Sequence, residues 1–269
     1  MSLLLTRAGG PDTAPGGAAP FDPATYGTVI GWWYFGENTY VLNSSDAAAS
    51  DGDGIKTVTD RSASAWNASQ ATAGNRPVWK ANIQNGLGIG RFTAASSHFL
   101  NIPGGRSMAQ NTGEIEVVGV LKPTAGSNVG MFCCEVNTTA GKERLAAYLD
   151  TASLTWSVGA TRLDADSTSY RSGSNATSGN WYAASWQADY TNGKSRVHAN
   201  GSDVVSYAAG PTSGTSSNTA SGTDPQIGSL DAGSTYYFNG DIGEVILYRP
   251  ISDRSGLITA LRAAARWNF

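Results

Sequence analysis

Trp181-Tyr182-Ala183-Ala184-Ser185-Trp186-Gln187-Ala188-Asp189-Tyr190-Thr191-Asn192-Gly193-Lys194-Ser195-Arg196-Val197-His198-Ala199-Asn200-Gly201-Ser202-Asp203-Val204-Val205-Ser206-Tyr207 reads as three strands joined by two turns. Tyr182, Trp186 and Tyr190 fall on one face of an extended chain, and Ser185, Gln187 and Asp189 on the other, because successive strand side chains point to opposite sides. Asn192-Gly193 predicts a type I′ hairpin turn, since both residues tolerate positive φ. Residues 194–199 return as a strand, Asn200-Gly201 turns the chain again, and 203–207 run back. The result is an antiparallel meander, which points to an all-β fold.

The same logic extends outward. Further strands are predicted at 29–35, 89–93, 115–122, 130–135, 145–150, 154–158, 226–229 and 241–248. Ile115-Glu116-Val117-Val118-Gly119-Val120-Leu121 is almost continuously apolar, which suits a central strand covered on both faces. One helix is predicted, at the end. Ser252 is its expected N-cap and Asp253 lies in its first turn. Leu257, Leu261 and Ala264 share a stripe that would pack against a sheet edge. Trp32, Trp33, Trp186 and Trp267 are expected in the core.

Composition agrees. Of 269 residues, 14% are charged, against about 25% in ordinary globular chains. Glycine is abundant at 33, and aromatics reach 10%, which fits a turn-rich β protein. The net charge of −3 supplies no basic stripe for nucleic acid. No apolar run approaches the roughly 20 residues that span a bilayer. Met1-Ser2-Leu3-Leu4-Leu5-Thr6-Arg7 lacks the basic start and apolar length of a secretory signal, so the expectation is synthesis in a cytoplasm without export. The adjacent Cys133 and Cys134 should face opposite sides of a strand, one buried and one half-buried, without a disulfide. Two histidines leave no Cys/His zinc site.

Residues 1–25 read as a separate arm: an apolar plug at Leu3, Leu4 and Leu5, then a Gly/Pro-rich linker. Such a segment suits either a tether whose plug anchors to a partner or a frayed terminus. Residues 26–269 form the remaining domain.

Phe238-Asn239-Gly240-Asp241-Ile242-Gly243-Glu244 followed by Leu247-Tyr248-Arg249-Pro250-Ile251-Ser252-Asp253 resembles the closing strand and helix start of laminin-G-like, concanavalin A-like jelly rolls. Val58-Thr59-Asp60-Arg61-Ser62 with Asn67-Ala68 is similar to an earlier segment of that family, as are Arg76-Pro77, Asn85-Gly86-Leu87, Arg91-Phe92 and His98-Phe99-Leu100. Ser255-Gly256 departs from the family's usual Glu and Arg. The resemblance implies an antiparallel two-sheet jelly-roll sandwich with a short C-terminal helix and an extended N-terminal arm. It also implies a ligand, if any, on the concave sheet or its rim loops. Fold alone fixes no function, since lectins, glycanases, adhesion modules and phage virion parts share it.

Candidate chemistry is sparse. A glycanase needs two carboxylates across the scissile bond. Glu114-x-Glu116 supplies two acids on one strand face, but no third acid follows, and an exposed strand end explains them better. No nucleophile elbow is present, and Gly88-x-Gly90 lacks the helix of a dinucleotide site. Asp51-Gly52-Asp53-Gly54 offers oxygen ligands on a glycine loop, so Asp51 and Asp53 are the candidates for calcium, the one possible cofactor. Asp60 should instead accept backbone amides in a turn. Trp66, Trp79, Tyr148, Trp156, Tyr170, Tyr236 and Tyr237 flank loops or polar strand faces and are the candidate ligand-binding aromatics. The leading expectation is a non-enzymatic bacteriophage virion protein in a tail, fibre or head decoration. Its arm would bind other virion proteins, and its homo-oligomeric jelly roll would touch cell-surface polysaccharide. A free bacterial lectin and a glycanase are the alternatives.

Overall fold

The computed structural model describes residues 21–269 apart from 127–128, 138–141, 151–152, 218–222, 231–235 and 264. Leu3, Leu4 and Leu5, with the rest of residues 1–20, lie outside the described residues. In chain order the strands are β1 (Gly27–Tyr34), β2 (Val41–Leu42), β3 (Thr57–Val58), β4 (Ala68–Ser69), β5 (Val78–Gln84), β6 (Leu87–Phe92), β7 (Leu100–Asn101), β8 (Glu114–Pro123), β9 (Val129–Asn137), β10 (Lys142–Asp150), β11 (Thr155–Ala160), β12 (Ser169–Asn175), β13 (Tyr182–Asp189), β14 (Lys194–Ala199), β15 (Ser202–Ala209), β16 (Gln226–Ile227) and β17 (Gly240–Ile251). Helix α1 (Arg254–Arg262) follows.

These strands make two antiparallel sheets, as the sequence leads one to expect. The first runs β15-β14-β13-β8-β17-β6-β5, with β1 also paired to β17. β17 is shared along its length: Gly240–Ile242 pair with β6, and Glu244 onward with β1. The second sheet runs β12-β11-β10-β9-β16-β7-β4-β3-β2. β8 lies mid-sheet between β13 and β17 and is buried over most of its length, as its apolar run requires.

The meander is β13-β14-β15, in sheet order. Its second turn is a two-residue one, with Asn200 at φ 50 and Gly201 at φ 96 between the paired Ala199 and Ser202. The first differs from expectation. Asp189 pairs with Lys194, so four residues connect the strands, and of Asn192 and Gly193 only Gly193 has positive φ. The Asp189 carboxylate accepts from the Asn192 backbone and amide nitrogens at 3.0 and 2.8 Å, which holds the longer loop closed.

Between the sheets lies the main core, which includes Trp33, Phe35, Phe92, Phe132, Trp186 and Tyr190. A second cluster lies on the outside of the first sheet. There Leu257, Ile258 and Leu261 of α1 pack with Trp32, Tyr34, Val118, Ile246 and Trp267. The helix therefore covers a sheet face, not an edge, because the outward residues of β8 and β17 are apolar too. Asp253, not Ser252, caps it, accepting from Gly256 N at 2.9 Å. The Ser252 hydroxyl instead donates to the Tyr26 carbonyl at 2.9 Å. Cys133 and Cys134 face opposite sides of β9, and both are buried.

At the far edge of the second sheet, the Arg171 guanidinium donates to the main-chain carbonyls of Ser195 and Ser206 in the first sheet. This ties β12 to the opposite layer. Tyr170, its neighbour along the strand, is turned the other way.

Candidate functional site

The outer face of the second sheet follows from strand register. Asn101, Gln226, Cys133, Ala146, Gly159 and Tyr170 are paired successively across β7, β16, β9, β10, β11 and β12. Directly opposed residues share a face. Cys134, Leu145, Ala147 and Val158 belong to the inter-sheet core, so this row points outward.

Gly159 positions the aromatic at its end. A Cβ at Gly159 would stand 2.8 Å from Tyr170 Cε1 and 3.3 Å from Ala146 Cβ. The Tyr170 ring therefore lies across the glycine toward Ala146, a cross-strand arrangement that a larger residue would forbid. The ring remains 54% exposed, and its hydroxyl donates to Glu143 Oε2 at 3.1 Å.

One row along, Tyr148 lies opposite Gly130 on one side and Ser157 on the other. The Ser157 and Ser172 hydroxyls are 2.8 Å apart. Gly130 N donates to the Tyr236 carbonyl at 2.9 Å, and a Cβ at Gly130 would come within 2.6 Å of that oxygen. This close approach brings Tyr236, 44% exposed, over the strand that pairs with Tyr148. Three of the aromatics singled out from sequence thus converge: Tyr148, Tyr170 and Tyr236. Tyr237 follows in the same segment, with its ring 6.2 Å from that of Phe99.

The electrostatics keep the Tyr148 and Tyr170 phenols protonated. Burial, then the Asp150 and Glu143 carboxylates, push the Tyr148 hydroxyl up to about 12. Burial, then Glu143, raise Tyr170 as well. A phenol whose folded pKa lies above its ordinary 10.0 stabilises the fold fully below pH 10 and loses that contribution as pH rises through the folded value. Tyrosinate absorbance should therefore show Tyr148 ionising near pH 12, with stability falling between about pH 10 and 12. Ionisation of every described tyrosine near pH 10 with the fold intact would contradict this. Across the usual pH range the face presents the Tyr148 and Tyr170 phenols, exposed ring surface, the exposed Ser172 hydroxyl and the Glu143 carboxylate, while Ser157 itself is buried.

The remaining candidates lie elsewhere. Trp79 and Trp156 are corrections, because both are buried. Trp79 donates to the Phe35 carbonyl at 2.9 Å, and Trp156 packs against Tyr182 and Trp186 with centroids 5.1 and 5.5 Å apart. Strand alternation turns Trp156 inward, while its polar neighbours Thr155 and Ser157 lie on the other side of the strand, half-buried and buried. Trp66 is half-buried in the β3–β4 connection, its nitrogen donating to Asp60 Oδ2 at 2.9 Å. Asp60 does organise a turn, also accepting from Trp32 N and Ser62 N at 2.8 Å.

Asp51 and Asp53 do not act together. Asp51 pairs with Lys80 at 2.8 Å and accepts from Ala81 N, and Asp53 accepts from Asn43 and Ser50 N at 2.9 Å. Hydrogen bonds from these groups hold both carboxyls below the usual carboxylate range. Among the described residues no three His, Cys, Asp or Glu side chains group to hold a metal.

Of the paired acids, Glu116 is buried and engaged by both arms of the Arg254 guanidinium from α1. Glu114 accepts from Gln187 at 2.6 Å, and burial, then Glu116, raise its carboxyl. Sequence reasoning missed Glu143, Ser157 and Ser172. The available signal was a glycine inside each of two strands, Gly130 and Gly159, marking where something lies close over the backbone.

No family model matches this sequence, and no curated protein does either. Among solved structures, domain 4 of AbnA, a GH43 extracellular arabinanase of Geobacillus stearothermophilus solved in complex with arabinotriose, is similar over 88% of this chain and 100% of its own, at 15% identity and TM-score 0.50. The fold is a concanavalin A-like jelly roll. The NanB sialidase of Streptococcus pneumoniae shares 16% identity over 64% of this chain but only 27% of its own, at TM-score 0.46. The CBM40 of the Ruminococcus gnavus IT-sialidase, bound to α2,3-sialyllactose, matches 57% of this chain and 83% of its own at 16% identity and TM-score 0.45. This jelly roll also has no described helix long and apolar enough to cross a membrane.

Proposed function

We propose that this jelly roll is a carbohydrate-binding domain that holds a saccharide on the outer face of its second sheet and does not cleave it. The observation that carries the reading is the placement of Tyr170 and Tyr236. They are the exposed large hydrophobic side chains of the described residues, and both lie by half-buried Tyr148 on one hydroxyl-rich face. A tyrosine pairs an apolar ring with a polar tip, which matches the apolar faces and hydroxyl rim of a pyranose. The non-catalytic half of the proposal is supported by Glu116, whose carboxylate is held by Arg254 beneath α1.

The finer reading is that of a homo-oligomeric virion component, anchored to other virion proteins through Leu3, Leu4 and Leu5 and touching host-surface polysaccharide. Its support is the plug-and-linker arm of the sequence. Presence of the chain in purified particles, and its loss on deleting residues 1–20, tests that part.

Binding itself is tested with the full chain against immobilised neutral and acidic oligosaccharides, arabinotriose and sialyllactose among them. Tyr170→Ala and Tyr236→Ala should each weaken the best ligand about tenfold, or ~1.4 kcal/mol, with the melting temperature unchanged. Unaltered affinity in both variants, or no binding by the wild type, would overturn the proposal.

A further inference from the structure

A second polar site lies on the opposite sheet. Register places Arg91, Asp241 and Lys122 side by side on β6, β17 and β8. Ile242, the next residue of β17, points into the inter-sheet core, so the three side chains point outward. Arg91 engages Asp241 through Nε at 2.7 Å and Nη2 at 3.1 Å, which leaves Nη1 outside the pair. Asp241 is only 7% exposed beneath it, while Arg91 is 44% exposed.

Lys122 pairs with no carboxylate among the described residues, and its Nζ lies 6.0 Å from the ring centre of half-buried Trp181. That indole stacks on Trp267 and Phe269 at 6.0 and 6.2 Å, so the C-terminal tail holds it in place. Around the row opens a recess of about 230 Å³, also lined by Thr93, Thr124 and Asn239.

Local charge has a sign here that the chain as a whole does not. Asp241 is answered by Arg91, and the nearby Asp51 by Lys80. Lys122 is left over, on a protein of net charge −3. An anionic group in the recess would meet the Lys122 ammonium and the free arm of Arg91, both charge-assisted donors. The hydroxyls of Thr93 and Thr124 and the Asn239 amide suit the polar edge of a sugar, while Trp181 lies outside the lining and backs the Lys122 ammonium. The recess lies below the 300–1,000 Å³ typical of drug-sized pockets, so it suits one monosaccharide unit.

We propose that this recess is a binding site for a single anionic sugar residue, one bearing a carboxylate or sulfate, separate from the tyrosine face. Its dependence on charge predicts weakening by salt.

Calorimetric titration of the full chain with glucuronate, glucose and inorganic sulfate tests it. Glucuronate should bind saturably and more tightly than either control. Lys122→Gln should weaken it about tenfold with the melting temperature preserved, and Tyr170→Ala should leave it unchanged. Glucose or sulfate binding as tightly as glucuronate, Lys122→Gln binding normally, or no binding of glucuronate by the wild type would each overturn the assignment. Loss of glucuronate binding in Tyr170→Ala would overturn its separateness from the tyrosine face.

Discussion

Replacing Glu244 with alanine is expected to destabilise the protein by about 3–5 kcal/mol, because it removes the carboxylate that pairs with a buried guanidinium. Glu244 is 1% exposed and accepts four hydrogen bonds. Oε1 takes Trp32 Nε1 at 2.6 Å and Arg266 Nη2 at 2.7 Å. Oε2 takes Trp267 Nε1 at 3.0 Å and Arg266 Nε at 3.3 Å. Arg266 in turn lies 4.4 Å from the ring centres of Phe21 and Tyr34.

One carboxylate thus joins β1, β17 and the C-terminal tail. Without it, Arg266 loses the carboxylate that answers its charge, and the Trp32 and Trp267 indole N–H groups lose their acceptor in an apolar layer. Urea unfolding should show the loss directly, and melting should fall by about 10 °C for a chain of this size. A change under about 1 kcal/mol, within the ordinary range of surface substitutions, would mean that the tail is held without this carboxylate.

The second large effect is expected at Trp156. Its ring is buried between the sheets against Tyr182 and Trp186, so Trp156→Ala should cost about 3–5 kcal/mol through lost contacts and a residual cavity. Tyr170→Ala, one strand away on the exposed face, should change stability by no more than about 0.5 kcal/mol. The pair separates two roles that the sequence makes look alike. Unchanged stability with lost saccharide binding in Trp156→Ala would return that residue to the surface.

The contrast between those two aromatics shows how much the sequence discloses. Alternation and turn chemistry are local, so the meander and β8 were legible in the sequence, whereas the two-sheet architecture was implied only by the resemblance to jelly rolls. Five of the nine strands of the second sheet, β2, β3, β4, β7 and β16, have only two residues and are too short to carry a period. β12, exposed along most of its length, has no apolar alternation to betray it.

For the tryptophans, polar flanking residues do not signal exposure. Trp156 sits between Thr155 and Ser157, and Trp79 beside Lys80. For Trp79 a correcting signal existed in Gly88, where a Cβ would come within 2.5 Å of the indole. There, as at Gly159, a glycine in the neighbouring strand marks a large side chain lying close across the backbone. The tyrosine face was half legible: its rings were named, but their convergence depends on register across β9–β12 and on the crossing at Gly130. Neither is local. The Glu244 network draws on residues 21 to 267 and has no sequence signature shorter than the fold itself.

The proposed role stands on saccharide binding at the tyrosine face. A crystal structure of the full chain with the tightest-binding neutral oligosaccharide tests it most directly. A sugar ring should lie in van der Waals contact, about 4 Å, with Tyr170 or Tyr236, with its hydroxyls bonded to Tyr148, Ser172 or Glu143. A saccharide seated elsewhere, with those tyrosines bare, would contradict it.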